Sequence, residues 1–146
     1  MKKLFFALVI VLLLFGAIQF IPVNTANPPV TREVKWDSSQ TRALAARACF
    51  DCHSNETVWP WYAKIAPVSL YLANHINEGR EKLNFSAWDQ RNEDFEEVQE
   101  VVAEGEMPLW DYLLIHPEAK LSAAETQQLL DGLQATYQQD PPAGGD

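Results

Sequence analysis

Both cysteines of this chain of 146 residues lie in one short run, Cys49-Phe50-Asp51-Cys52-His53. Two cysteines cannot supply a framework of disulfides, so a fold of this size needs another source of stability, and a covalently held cofactor is one candidate. On a helix, Cys49 and Cys52 stand at positions i and i+3, and their sulfur atoms therefore project from one side. His53 follows Cys49 by one turn, which brings an imidazole to the same side.

This C-x-x-C-H spacing is that of c-type haem attachment. Each sulfur can form a thioether with one vinyl group of the haem, and His53 is placed to be the proximal ligand of the iron. We therefore expect one covalently attached haem c, bound through Cys49, Cys52 and His53. A thioredoxin-like dithiol needs a βαβ pattern, and a zinc site needs a fourth ligand such as another cysteine pair. The sequence shows neither, which leaves a dithiol oxidoreductase as the weaker alternative.

Met107 is the only methionine besides the initiator. It follows Gly105, which can end a helix, and precedes Pro108, which stiffens the backbone. A thioether on such a loop can reach the distal side of a haem whose proximal side is fixed by the first helix of the domain. We expect His53 and Met107 to be the two iron ligands. His75, on a predicted amphipathic helix, and His116 are the rival distal ligands.

An apolar stretch from Leu4 to Val23 follows Lys2 and Lys3. As a helix it would be about 30 Å long, and this predicts one transmembrane helix in the inner (cytoplasmic) membrane. The two lysines should stay in the cytoplasm, so the rest of the chain should face the periplasm. The alternative is a signal peptide that is cleaved near Ala26 and leaves a soluble periplasmic protein.

The pattern of apolar residues predicts an all-α domain without strands or internal repeats. We divide the chain into a signal or membrane anchor (1–23), a linker (24–37), a haem-binding domain (38–139) and a disordered tail (140–146). The predicted helices are Ser39–Cys52 with a serine N-cap, one from Pro67 ended by Gly79, Asn92–Glu104 ended by Gly105, a short one over Leu109–Ile115, and one that opens with a capping box at Ser122–Glu125 and carries Leu129, Leu130, Leu133 and Tyr137.

Aromatic residues gather in the loops that would flank a haem, and we expect some of them to form its walls. They are Trp59, Trp61, Tyr62, Trp88 and Trp110. The chain has 20 acidic and 11 basic residues, a formal net charge of −9. Such a surface repels phosphate backbones, which argues against nucleic-acid binding. An acidic run between Glu93 and Glu100 is most simply a solvated helix face, and it could also attract a basic redox partner.

Several blocks of sequence between Ala48 and Ser122 occur in this order in a known family. They are Cys49-Phe50-Asp51-Cys52-His53-Ser54-Asn55-Glu56-Thr57, Trp59-Pro60-Trp61-Tyr62, Ile65-Ala66-Pro67-Val68-Ser69, Leu83-Asn84-Phe85-Ser86-Ala87-Trp88, Gly105-Glu106-Met107-Pro108 and His116-Pro117-Glu118-Ala119-Lys120-Leu121-Ser122. In these blocks the chain resembles the haem-binding domain family of small bacterial c-type cytochromes.

The resemblance implies a cytochrome c-like helical fold around a covalent haem, with His53 as the proximal ligand and Met107 as the distal one. The sequence departs from better-studied cytochromes c at one place. Those proteins tend to carry a glycine in the first helix where the last helix crosses it, whereas this chain offers alanines such as Ala43, Ala45 and Ala46.

Together these features predict a membrane-anchored monohaem cytochrome c that transfers single electrons on the periplasmic side. Ligation by His53 and Met107 leaves no open iron position, so we expect an electron carrier and not an enzyme. The expected partners are redox proteins with basic surfaces. One alternative is a five-coordinate haem sensor or peroxidase in which Met107 is detached. Another is an assembly factor whose haem only stabilises the fold.

Overall fold

The computed structural model describes residues 1–143 of the chain, and within them the fold is all-α, as predicted. Seven α-helices and two 3₁₀ turns form this part of the chain, with no strand. The helices are α1 (Lys2–Ile18), α2 (Ser39–Ala48), α3 (Phe50–His53), α4 (Val68–Lys82), α5 (Phe95–Ala103), α6 (Trp110–Ile115) and α7 (Ala123–Gln139), and the 3₁₀ turns are Trp61–Lys64 and Pro117–Ala119.

Helix α1 is shorter than the predicted transmembrane helix. It has 17 residues, none of them buried, and it ends at Ile18. Gln19 then turns towards the domain, where its Nε2 donates to the carbonyl oxygen of Ala66 and its Oε1 accepts from the Ala66 N–H, both at 3.0 Å. No helix among residues 1–143 is long and apolar enough to cross a membrane. The predicted spanning helix is therefore not supported by the structure of these residues.

The helix that carries the cysteines begins at the predicted serine cap but is divided in two. Ser38 Oγ accepts from the Thr41 N–H at 3.1 Å, which caps α2. Cys49 leaves helical geometry with φ −125° and separates α2 from α3. The backbone N–H groups of Cys52 and His53 both donate to the carbonyl of Cys49, at 3.1 and 2.9 Å. The C-x-x-C-H run thus forms a single turn of its own.

Gly79 does not end α4, as its type had suggested, because that helix continues to Lys82. Its position is instead a contact between helices. A Cβ atom at Gly79 would lie 2.8 Å from the carbonyl oxygen of Cys52, closer than real contacts allow. The absence of a side chain therefore lets α4 approach the turn that bears the cysteines.

A glycine also permits the crossing of α2 and α7, but it belongs to the last helix rather than the first. A Cβ at Gly132 would lie 2.0 Å from Thr41 Oγ1. Ala45, one of the alanines of α2, is fully buried, with 0% exposure. The glycine at this crossing thus lies in the last helix, whereas better-studied cytochromes c tend to have it in the first helix.

Helix α5 ends and helix α7 begins at the predicted signals, whereas α5 starts at Phe95 rather than near Asn92. The Asp94 side chain caps α5, and Gly105 ends it with φ +76°, in the region that favours glycine. Both halves of the Ser122–Glu125 capping box are present at the start of α7. The four predicted core residues of α7 are all buried, namely Leu129, Leu130, Leu133 and Tyr137.

The predicted linker and the first part of the predicted tail pack on the domain. Val34 is buried, and the Trp36 ring lies 5.1 Å from that of Phe85. Asp140 is also buried; it pairs with Arg32 and accepts from the Lys35 N–H at 2.9 Å. Residues 144–146 of the predicted tail lie outside the described residues.

Candidate haem site

The four side chains singled out as haem ligands line one cavity of about 270 Å³ between α3, α4 and the loop before α6. They are Cys49, Cys52, His53 and Met107. Two smaller cavities of about 90 and 100 Å³ share walls with it. The sequence separates Met107 from the C-x-x-C-H run, and the fold brings them to the same space.

His53 is oriented by two backbone carbonyls. Its Nδ1 lies 3.0 Å from the carbonyl oxygen of Gly79 and 3.1 Å from that of Leu83. Since both partners only accept, Nδ1 carries the hydrogen and donates, which leaves Nε2 with its lone pair for a metal. Burial lowers the pKa of His53, although both carbonyl hydrogen bonds oppose the shift. The ring is therefore held neutral, in the tautomer that a proximal iron ligand requires.

The two cysteines are unpaired thiols rather than an acidic dithiol. Burial raises the pKa of Cys49 to about 12 and that of Cys52 to about 11. Thiol–disulfide enzymes depend on a cysteine whose pKa is lowered so that its thiolate can attack. Neither cysteine has such surroundings, so the geometry does not favour the dithiol alternative.

Met107 is held by the end of α5. The N–H of Gly105 donates to the carbonyl of Val102 at 3.2 Å, and the N–H of Glu106 donates to that of Val101 at 2.9 Å, which is the Schellman arrangement. The N–H of Met107 adds a third bond to the Val101 carbonyl at 3.1 Å. This termination fixes the backbone on which the thioether enters the cavity.

The two rival histidines lie on the side of Cys52. His75 lines the cavity of about 270 Å³, and its Nδ1 is 3.1 Å from the carbonyl of Tyr71. His116 lines only the adjoining cavity of about 90 Å³, and its Nδ1 is 3.2 Å from Glu118 Oε1. The structure thus keeps His75 near the site and places His116 further towards its edge.

No tryptophan lines these three cavities within the described residues. Trp88 is fully buried in the core, where its Nε1 donates to the carbonyl of Asp140 at 2.7 Å. Trp61 and Trp110 face solvent, with 77% and 75% of their surface exposed. Of the aromatic loop residues expected at the haem, only Tyr62 lines a cavity.

The walls of the three cavities consist instead of residues that were not expected to contact a haem. The apolar and aromatic members include Ala48, Val58, Leu72, Ile76, Leu83, Phe85, Val98, Val101, Val102, Leu109, Ile115, Leu121, Leu129, Leu133, Tyr71 and Tyr112. Such a lining suits a large apolar porphyrin, with a few polar groups at set positions. Two sulfurs on one turn, a neutral imidazole with free Nε2 and a thioether therefore fit a haem c.

A family model described as a haem-binding domain matches residues 13–135, which include all four of these side chains. The chain belongs to the haem-binding domain family. This confirms the family resemblance and supports the expectation of a haem cofactor that came from the C-x-x-C-H spacing. Comparisons with curated proteins and with solved structures found no match.

Asp51 and Tyr112 form a polar contact beside the haem-binding domain's cavity that sequence reasoning missed. The Tyr112 hydroxyl donates to Asp51 Oδ2 at 2.8 Å, and Asp51 Oδ1 accepts from the Val58 N–H at 3.0 Å. Burial, together with the hydrogen bond to Asp51, raises the pKa of Tyr112, so its hydroxyl remains a donor at neutral pH. The position of Asp51 inside the C-x-x-C-H run was the only available signal.

Proposed function

We propose that this haem-binding domain is a monohaem c-type cytochrome that carries single electrons. Cys49 and Cys52 would attach haem c through thioethers, and His53 and Met107 would hold its iron. The observation that supports this proposal most directly is that all four side chains line the same cavity. When bound, the haem supplies an iron that cycles between the ferrous and ferric states.

The protein's part in electron transfer is to hold the ligands and exclude water. The carbonyls of Gly79 and Leu83 fix the tautomer and the direction of His53. The end of α5 fixes the backbone of Met107. If His53 and Met107 hold the iron, no open site is left for a substrate, and we propose the role of a carrier rather than an enzyme.

We also propose that the apolar segment of residues 1–23 directs export, so that the haem domain works on the periplasmic side of the inner membrane. Lys2 and Lys3 before the apolar residues support this direction of transfer. The net charge of −9 suits redox partners with basic surfaces. Fractionation of cells that express the full chain tests the location, and recovery in the cytoplasm would contradict it.

Expression of the full chain in a host that matures c-type cytochromes tests the cofactor. We expect a red protein whose denatured polypeptide is heavier by the mass of one haem. Variants with both cysteines replaced by alanine should lose this added mass, whereas replacement of an exposed tryptophan such as Trp110 should not. A colourless product from the unaltered chain would overturn the proposal.

The oxidised absorption spectrum and carbon monoxide binding test the ligands. We expect the weak red charge-transfer band that methionine sulfur gives on ferric haem, and slow, incomplete binding of carbon monoxide to the reduced protein. Rapid, stoichiometric binding would instead indicate the five-coordinate sensor or peroxidase. Rapid electron exchange with a quinol-oxidising or terminal-oxidase complex separates a carrier from an assembly factor.

A further inference from the structure

Helix α6 follows Met107 within three residues, yet it has little packing of its own. None of its residues is buried, and Trp110 and Leu114 are 75% and 71% exposed. Among the described helices and turns, its backbone packs only on the 3₁₀ turn Pro117–Ala119 that directly follows it. Packing on other helices therefore does little to fix where α6 lies, and its polar contacts with the domain become important.

Two side-chain hydrogen bonds join α6 to the body of the domain. The Tyr112 hydroxyl donates to Asp51 Oδ2 at 2.8 Å, and the hydroxyl of Tyr71 on α4 donates to Asp111 Oδ2. The first bond is partly buried and the second is exposed to solvent. Because water competes less for a buried bond and the acceptor is a carboxylate, the bond to Asp51 should contribute more.

Asp51 connects this bond to the haem-attachment turn itself. It lies between Cys49 and Cys52, and its second oxygen accepts from the Val58 N–H at 3.0 Å, which keeps the carboxylate from rotating away. Tyr112 lines the same cavity of about 270 Å³ as Met107. The hydrogen bond therefore spans from the turn that carries the proximal ligand to the segment that carries the distal one.

We propose that the hydrogen bond between Tyr112 and Asp51 is a latch that holds the segment 107–116 against the haem-attachment turn and so keeps Met107 at the distal position. Tyr112 and Asp51 are positioning residues, since they act through Met107. This inference rests on the proposed cytochrome function. Loss of the latch leaves the haem and His53 in place but lets the distal thioether leave more often.

Carbon monoxide binding to the reduced holoprotein measures how often the distal position opens. We expect Tyr112→Phe to bind carbon monoxide about tenfold faster than the unaltered protein, the change expected from the loss of one hydrogen bond to a charged group. The red charge-transfer band of the oxidised form should weaken as well. Neither readout would respond to a residue whose role is only to stabilise the fold.

Tyr137→Phe is the matched control. The Tyr137 hydroxyl donates to the carbonyl of Glu93 at 3.1 Å in a partly buried hydrogen bond, and Tyr137 lines none of the three cavities. The control should bind carbon monoxide at the unaltered rate. An equal acceleration in both variants would overturn the latch, because it would show a general effect of losing a partly buried hydrogen bond.

A double-mutant cycle separates the latch from other effects of each residue. Asp51→Ala should accelerate carbon monoxide binding as Tyr112→Phe does, and the double variant should be no faster than the faster single variant. Asp51→Asn keeps one oxygen acceptor and should lie between the unaltered protein and Asp51→Ala. It also serves as the test variant if Asp51→Ala does not retain haem.

The outcomes distinguish the latch from the function on which it rests. If the unaltered protein binds carbon monoxide slowly and Tyr112→Phe does the same, the latch alone is overturned. If the effects of Tyr112→Phe and Asp51→Ala simply add, the two residues act separately and the latch is again overturned. Fast binding by the unaltered protein overturns both Met107 ligation and the latch.

Discussion

His53 Nδ1 lies 3.0 Å from the carbonyl oxygen of Gly79. Gly79 is also the residue whose lack of a side chain lets α4 approach Cys52. One glycine therefore serves two purposes at this site. Its lack of a Cβ sets the distance between α3 and α4, and its carbonyl helps to orient the proposed proximal ligand. The contact between the two helices and the geometry of the ligand are thus coupled through a single position.

Replacement of Gly79 by alanine should disturb both the contact between α3 and α4 and the orientation of His53. The new Cβ would lie 2.8 Å from the Cys52 carbonyl, which is backbone and cannot move aside cheaply. We expect the variant to lose about 1–3 kcal/mol of unfolding free energy and to incorporate less haem. Chemical denaturation and the haem-to-protein absorbance ratio measure these effects. Gly16→Ala is the control, because nothing lies within 4 Å of a Cβ there, and equal behaviour of the two variants would contradict the assignment.

Replacement of Gly132 by alanine should weaken the crossing of α2 and α7. A Cβ there would lie 2.0 Å from Thr41 Oγ1, so we expect a loss of about 1–3 kcal/mol in denaturant unfolding. Thr41→Ala removes the two nearest atoms. If the crossing is as described, the double variant should be more stable than the sum of the single effects predicts. If the losses of unfolding free energy simply add, the side chain at position 132 does not clash with Thr41.

Replacement of Met107 by alanine should affect the distal ligand only. We expect the haem to stay covalently attached, the red charge-transfer band to disappear and carbon monoxide to bind at once to the reduced protein. His75→Ala should leave all three properties unchanged. If instead His75→Ala altered the spectrum and Met107→Ala did not, the distal ligand would have to be reassigned to His75.

Glu125 should stabilise the start of α7 in a pH-dependent way. Its hydrogen bonds from Ser122, and then the contact with Arg47, lower its pKa from 4.5 to about 2. A depressed pKa in the folded state adds stability that is fully present above pH 4.5 and is lost as the pH falls towards 2. Glu125→Ala should therefore have a lower free energy of unfolding than the unaltered protein at neutral pH, and this difference should shrink as the pH falls towards 2. Carbon NMR of the carboxyl group measures the pKa directly, and a midpoint near 4.5 would contradict the arrangement.

Local signals allowed correct prediction of much of the fold. Ser38, Ser122 and Gly105 act within one turn of themselves, and the structure confirms each of them as a helix boundary. Gly79 has the same residue type as Gly105 but a different role. Only the neighbouring chain at Cys52 distinguishes a glycine needed for close packing from one that ends a helix, and this neighbour is not evident in the local sequence.

The candidate site was also predictable only in part. The C-x-x-C-H spacing and the single internal methionine were sufficient to predict four side chains that do line one cavity. The walls were not predictable, because Trp88 turns into the core and Trp61 turns to solvent for reasons of tertiary packing. The contact of Asp51 with Tyr112 joins residues 61 positions apart, and no periodicity relates them.

The segment before α2 was predicted to be a linker, and the structure fastens it to the domain at both ends. Gln19 pairs with the backbone of Ala66, and Arg32 and Lys35 both bind Asp140 beyond the last helix. These contacts hold the linker on the surface of the domain instead of leaving it as a long free chain. For the proposed electron carrier, we therefore expect exchange to depend on partners that diffuse to the haem.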